Sequence, residues 1–209
     1  MARAVHRIAT PIKDTALIAE RRNQIVEAAT AVFLEKGYHA ATTRDVVLRA
    51  GLAQGSLYNY VRTKPDILYL VADKAVEDYQ NTIHEALEGV QGPEERLRVA
   101  IRAAVTSQYE HRDAIALVMR EGHALEDTAR RALRKRADQF FDLMCALVEE
   151  GLPRRRGRKA SAKLLAETIT YLPTMVAMRP WRLAGEGTQQ QVVDALVETI
   201  EHAVGLREA

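Results

Sequence analysis

Little in this sequence points to covalent, redox or membrane chemistry. The 209 residues include one cysteine, Cys145, so no disulfide can close within the chain, and a reducing, cytoplasmic setting is expected. No apolar run approaches the ~18 residues of a membrane-spanning helix. The N-terminal stretch lacks the apolar core of a secretory signal, so neither export nor a membrane partner is expected. Strict apolar–polar alternation never persists, and glycine and proline are sparse, at 11 and 6 residues. That pattern excludes a sheet-rich chain and predicts an all-α fold. The sequence has no G-x-S-x-G, Walker loop, G-x-G-x-x-G or H-E-x-x-H, so no enzyme and no cofactor are expected. Cys145 falls mid-helix on an apolar stripe and reads as buried and inert rather than nucleophilic. His84, His111, Glu121, His123 and Asp127 lack the tight spacing of a structural zinc motif, so no metal site is expected.

Charge is scarce only in its sum. The net formal charge is +2 with 28% charged residues, and 47% are hydrophobic, enough for a sizeable core. Residues 1–66 hold ten Lys/Arg against six Asp/Glu, whereas residues 67–209 hold twenty against twenty-two. The positive excess therefore sits in the first third, the distribution that phosphate neutralisation requires. Arg3, His6, Arg7 and Lys13 lie in a stretch, 1–15, with little to form a core. It reads as a flexible basic tail, with an arm reaching phosphates or a minor groove as the sharper alternative.

The chain is organised around residues 42–64, TTRDVVLRAGLAQGSLYNYVRTK. Thr42 and Asp45 have capping-box spacing, and Val46, Val47 and Ala50 give the following helix an apolar edge. Gly51 supplies a left-handed stop. A second helix is expected over about 54–61, with Leu57 and Val61 facing inward and Gln54, Ser56, Tyr58 and Asn59 facing out. This is a helix-turn-helix whose second helix suits a DNA major groove. A preceding helix over 16–36, with Ile18, Ile25, Ala28, Ala29, Val32 and Phe33 at helical spacing, supports it and ends at Gly37.

On these residues the chain resembles the TetR-type transcriptional regulators. Thr42, Arg44, Asp45, Val46, Ala50, Gly51, Gly55, Ser56, Leu57, Tyr58, Tyr60 and Lys64 stand in register with the family's signature, and the likeness covers about residues 20–70. Val47, Leu48, Ala53 and Val61 depart from it, and Ala53 cannot cap the second helix, a loss of ~1 kcal/mol. The resemblance implies an N-terminal three-helix DNA-binding domain (16–66) and a C-terminal helical ligand-binding and dimerisation domain (67–209). It also implies a regulator, a repressor in the first reading, that binds a palindromic double-stranded operator as a homodimer and is released by a small hydrophobic effector. An acyl-coenzyme A is the effector favoured; a ligand-independent DNA-binding dimer, or an enzyme, is the alternative. The expected DNA-binding residues are Thr42, Thr43, Arg44, Gln54, Gly55, Ser56, Tyr58, Asn59, Tyr60 and Lys64. Arg44 and Gln54 suit base edges, and Thr42, Tyr58, Tyr60 and Lys64 suit phosphates.

Beyond the motif, a long helix is expected from a Thr63 cap to about residue 88, well placed as a lever. A break at Gly89, Gly92 and Pro93 precedes helices over about 93–109, 114–121 and 125–150, the last ending at Gly151. The basic run 152–159 reads as a solvated loop rather than a second DNA patch. Residues 161–183 read as a helix kinked by Pro173, and Thr188 caps a last helix reaching Val204. The resemblance makes 161–183 and 188–204 the homodimer interface. It also implies an effector pocket, with Tyr79, Ile101, Val105, Tyr109, Met119, Arg120, His123, Phe140, Phe141, Met144, Tyr171, Met175, Met178 and Trp181 as candidate lining. Plain core packing is the simpler role for any one of them.

Overall fold

The structure is a computed structural model that describes residues 14–152, 160–183 and 185–206. The basic tail, including Arg3, His6, Arg7 and Lys13, and the 154–159 loop lie outside the described residues. Every regular element among the described residues is helical, and no helix there is long and apolar enough to cross a membrane. The elements are α1 (Thr15–Lys36), α2 (Thr43–Arg49), α3 (Gln54–Leu57), α4 (Lys64–Leu87), α5 (Pro93–Glu110), α6 (Arg112–Glu121), α7 (Asp127–Gly151), α8 (Ala162–Tyr171), α9 (Met175–Met178) and α10 (Gln189–Val204). Short 3-10 turns cover Gly122–Ala124, Leu172–Thr174 and Pro180–Arg182.

The chain divides into two compact units. The first takes its described residues from 14–76 and 113–135, the second from 77–112 and 136–206. In the first, Ile25, Phe33, Val46, Leu57, Val61, Ile67 and Leu68 form one core, which Leu117, Leu125 and Ala129 share. Burial of each large aliphatic or aromatic side chain there contributes about 1.5–3 kcal/mol. In the second unit, Ile83, Leu97, Ile101, Met144, Leu147, Ile169, Val193 and Ile200 form the core.

Caps fix where the helices begin. The Asp14 carboxylate accepts the N–H groups of Ala16 and Leu17 at 3.0 and 3.1 Å. Thr188 and Gln191 form a capping box for α10. At Thr63 the hydroxyl accepts the Asp66 N–H at 3.3 Å, and the buried Asp66 carboxylate accepts the N–H groups of Arg62 and Thr63, each at 3.0 Å. Pro173 does interrupt the 161–183 segment: α8 ends at Tyr171, and a 3-10 turn joins it to α9.

One expectation needs correction. The helix expected over 54–61 is one turn long, Gln54–Leu57. Ala53 offers no side-chain cap, and Gly55 costs about 1 kcal/mol in a helix interior. The chain therefore relaxes into a turn at 58–60, although Val61 still donates to the Leu57 carbonyl at 3.0 Å. The helix expected to end at Gly151 does so, with Gly151 as the last residue of α7. A Cβ on it would stand 2.7 Å from the Pro93 carbonyl oxygen and 2.8 Å from the Leu97 Cβ. Its missing side chain lets α7 pass directly against the start of α5.

Candidate functional site

The first candidate site is the turn between α2 and α3 with the loop that feeds it. Thr42 caps α2: its hydroxyl accepts the Asp45 N–H at 3.1 Å, while Asp45 accepts the Thr42 N–H at 2.9 Å and its O–H at 2.7 Å. Lys36 donates to the other Asp45 oxygen at 2.6 Å. The Lys36 hydrogen bond first, then those from Thr42, hold the Asp45 carboxyl well below the usual range. Arg49 pairs with Glu35 at 2.7 Å across α1 and α2, an exposed bridge that adds little. Gly51 then turns the chain at φ 65°, a left-handed value open to glycine. Leu52 donates back to the Val47 carbonyl at 3.1 Å, which closes the corner.

Lys64 is held inside this frame. Its ammonium donates to the carbonyls of Tyr38, His39 and Ala41 at 2.9, 3.1 and 3.0 Å. It also sits 4.7 Å from the centre of the Tyr38 ring, itself edge-on to Phe33 at 5.1 Å. All three ammonium protons are engaged, so the role expected of Lys64 at a phosphate gives way to bracing the 37–42 loop. Tyr60 also departs from expectation, because it is buried in the core at 3% exposure. Tyr58 is 55% exposed, and Arg44 and Gly55 are exposed beside half-buried Thr43, Ser56 and Asn59. The hydroxyl of exposed Thr42 already belongs to the cap. Gln54 opens α3. Among the residues expected to meet DNA whose burial is described, Thr42, Arg44, Gly55 and Tyr58 are exposed.

The second candidate site is the core of the second unit. Of the fourteen residues expected to line a pocket, Ile101, Val105, Phe140 and Met144 are buried there, and Tyr79, Tyr109 and Phe141 pack against them. Tyr79 meets Phe140 edge-on at 4.7 Å. The other seven lie elsewhere. Met119, Arg120 and His123 belong to the first unit. Tyr171, Met175, Met178 and Trp181 are exposed on the α8–α9 segment and the turn after it, together with Leu164. The apolar residues of α10, Val193, Val197, Ile200 and Val204, face the unit's own core, and Arg102 on α5 pairs with Asp194 on α10 at 2.5 Å. Of the two segments expected to dimerise, only 161–183 leaves large apolar side chains uncovered.

Polar atoms of Tyr79, expected to line the pocket, and of Ser107 and Gln108, not among the expected lining, stand within the second core. The Tyr79 hydroxyl, Ser107 Oγ and Gln108 Oε1 are buried without a hydrogen-bond partner, while Gln108 Nε2 donates to the Thr170 carbonyl at 2.7 Å. Burial pushes the Tyr79 phenol up, and the Gln108 side chain lies close enough to oppose the rise, but no contact between the two has hydrogen-bond geometry, so the phenol stays protonated and able to donate. Each such orphan costs about 1–3 kcal/mol. The adjacent polar pair Ser107-Gln108 in an otherwise apolar helical stripe was the available sequence signal. Cys145 is half-buried, and burial raises its thiol, helped by Asp142 and Glu149; it is no ready nucleophile.

The family model described as bacterial regulatory proteins of the tetR family matches residues 25–69, and that of the tetracyclin repressor-like C-terminal domain matches residues 90–204. The HTH-type transcriptional regulator HbdR of Aromatoleum sp. (strain CIB) is 35% identical over 114 residues, 54% of this chain and 50% of HbdR. The chain thus aligns with about half the length of that relative. The HTH-type transcriptional repressor KstR2 of Rhodococcus jostii (strain RHA1) is 27% identical over 191 residues, 87% of this chain and 90% of KstR2. Among solved structures, AibR in complex with isovaleryl coenzyme A and operator DNA has a TM-score of 0.70 at 16% identity, covering 86% of this chain and 97% of that one. That likeness speaks for the fold.

Proposed function

The chain belongs to the TetR family of bacterial regulatory proteins and is a transcriptional regulator rather than an enzyme; from that premise we propose that it is a repressor released by an acyl-coenzyme A. In this reading a homodimer binds a palindromic operator through residues 16–66. Residues within 67–209 bind the effector and the second copy. The observation that carries the effector reading is the set of orphaned polar atoms of Tyr79, Ser107 and Gln108 inside the apolar second core. The acyl-thioester end of such a ligand answers both features: its chain parts Ile101, Val105, Phe140 and Met144, which pack together here, and its carbonyl accepts the Tyr79 O–H. A thioester presents that carbonyl next to an acyl chain. The solved complex of AibR with isovaleryl coenzyme A and operator DNA makes short acyl-CoAs the first probes to try.

The uncovered strip of Leu164, Tyr171, Met175, Met178 and Trp181 supports a homodimer. It is an apolar surface of the kind that marks an interaction site. The test is a thermal-shift series with acyl-CoAs of increasing chain length on the purified protein. At least one should raise the melting midpoint of the wild type, and Tyr79→Phe should weaken that ligand about tenfold with the fold intact. A flat series, or a ligand bound equally by Tyr79→Phe, would mean that the second unit holds no such effector.

A further inference from the structure

Beside the loop that feeds the helix-turn-helix, three side chains with metal-ligating atoms converge within the first unit. His39 lies in the loop between α1 and α2, Glu121 closes α6, and His123 follows in the Gly122–Ala124 turn. Their ligand atoms all lie within 4.8 Å of one another. His39 Nε2 is 3.3 Å from a Glu121 carboxylate oxygen. A tetrahedral ion with bonds of 2.0–2.1 Å sets its ligands about 3.3 Å apart, so this pair is already at the required spacing. Closing His123 onto it takes a side-chain adjustment of about an ångström or more, open to a residue at the surface.

The protonation pattern also fits. Nδ1 of His123 stands 3.1 Å from the Arg120 carbonyl oxygen. A carbonyl only accepts, so Nδ1 carries a proton, and in the neutral ring Nε2 keeps the lone pair a metal needs. The His39 and His123 rings are 6.4 Å apart between centres, separated rather than stacked face to face. The His39 side chain is 76% exposed, open to an ion from solvent, while Glu121 at 16% supplies an anchored negative charge.

We infer that His39, Glu121 and His123 form a binding site for a zinc-class divalent transition-metal ion, with water completing its shell. Two imidazoles and one carboxylate suit Zn²⁺, Co²⁺ or Ni²⁺ and disfavour Mg²⁺ and Ca²⁺, which take oxygen ligands. The ion joins the end of α6 to the 37–42 loop, the same loop whose carbonyls Lys64 holds. Because that loop runs directly into the Thr42 cap of α2, occupancy stiffens the entry to the helix-turn-helix. Sequence reading weighed Glu121 and His123 and missed His39, which lies on a loop far upstream of that pair.

The experiment uses the full chain stripped of metal by chelator and dialysis, titrated with ZnCl₂ by calorimetry and with CoCl₂ by visible absorption. One ion per chain should bind, with a Co²⁺ ligand-field band, and Mg²⁺ or Ca²⁺ should not compete. His39→Ala, His123→Ala and the isosteric Glu121→Gln should each weaken Zn²⁺ at least tenfold, with unchanged helical circular dichroism. His84→Ala and His202→Ala should leave it unaltered. Zn²⁺ should raise the melting midpoint of the wild type and not that of His39→Ala. The absence of stoichiometric binding overturns the inference and leaves His39 and Glu121 as a simple side-chain contact at 3.3 Å. Unaltered Zn²⁺ affinity in His39→Ala and His123→Ala overturns it as well.

Discussion

The Lys64 ammonium gives its three protons to the carbonyls of Tyr38, His39 and Ala41, and removing it leaves those oxygens to find water in a half-buried loop. Lys64→Met should therefore cost about 1.5–3 kcal/mol of stability, read as a lower urea midpoint at unchanged slope. Its effect on DNA affinity should arise through the loop, with little change in salt dependence. A salt slope reduced by about 0.9 with stability untouched would return Lys64 to the phosphate role. Asp45 makes a pH prediction. Its carboxyl is held low by Lys36 and Thr42, so its contribution is present above the unfolded value of about 3.9 and is lost as pH falls toward the folded value. Wild type should be more stable than Asp45→Asn at pH 7 and pH 5, and the gap should shrink below pH 4. A gap that is constant or grows in acid would contradict the assignment. The Thr42–Asp45 box could be read in advance because both partners lie within one turn of each other. The Lys64 contacts could not, because carbonyls more than twenty residues away leave no mark on a sequence pattern.

At the scale of elements, α3 and the end of α7 are the informative cases. The one-turn α3 has no side-chain cap because Ala53 occupies the N-cap position. Ala53→Ser should stabilise the protein by about 0.5–1 kcal/mol, measured as a raised urea midpoint; a lowered midpoint would show that the short turn is held by something the cap disrupts. Gly151→Ala forces a Cβ against the Pro93 carbonyl and the Leu97 Cβ. Neither is a flexible side-chain tip, so an overpacking cost of about 1–3 kcal/mol is expected. A neutral result would mean that α5 and α7 shift apart freely. Periodicity located these helices because it reports which face is apolar. It says nothing of how closely two backbones approach, so Gly151 gave no sign of the close pass between α5 and α7. Nor does it tell which core an apolar residue joins: Leu117, Leu125 and Ala129 lie far beyond the helix-turn-helix in sequence yet share its core.

For the whole molecule, the proposed repressor needs a second copy and a ligand that changes its grip on DNA. The uncovered Tyr171 and Trp181 are 61% and 67% exposed, so Trp181→Glu should convert a dimer to monomers in sedimentation and abolish operator binding. A monomeric wild type that binds its operator normally would remove that premise. The central claim is that effector and operator bind different states of one protein. α4 is one continuous helix, Lys64–Leu87, with residues in both units, and it is the element proposed to carry the coupling. A ligand can shift DNA binding only by its differential affinity for the two states, and the coupling must be reciprocal. The direct measurement is the affinity of the most stabilising acyl-CoA with and without saturating operator DNA. Ligand binding should be weaker on the operator by about 5–150-fold, with operator affinity reduced by the same factor when ligand saturates. Equal ligand affinities in the two conditions would contradict it and leave a DNA-binding regulator whose effector site, if occupied, is silent.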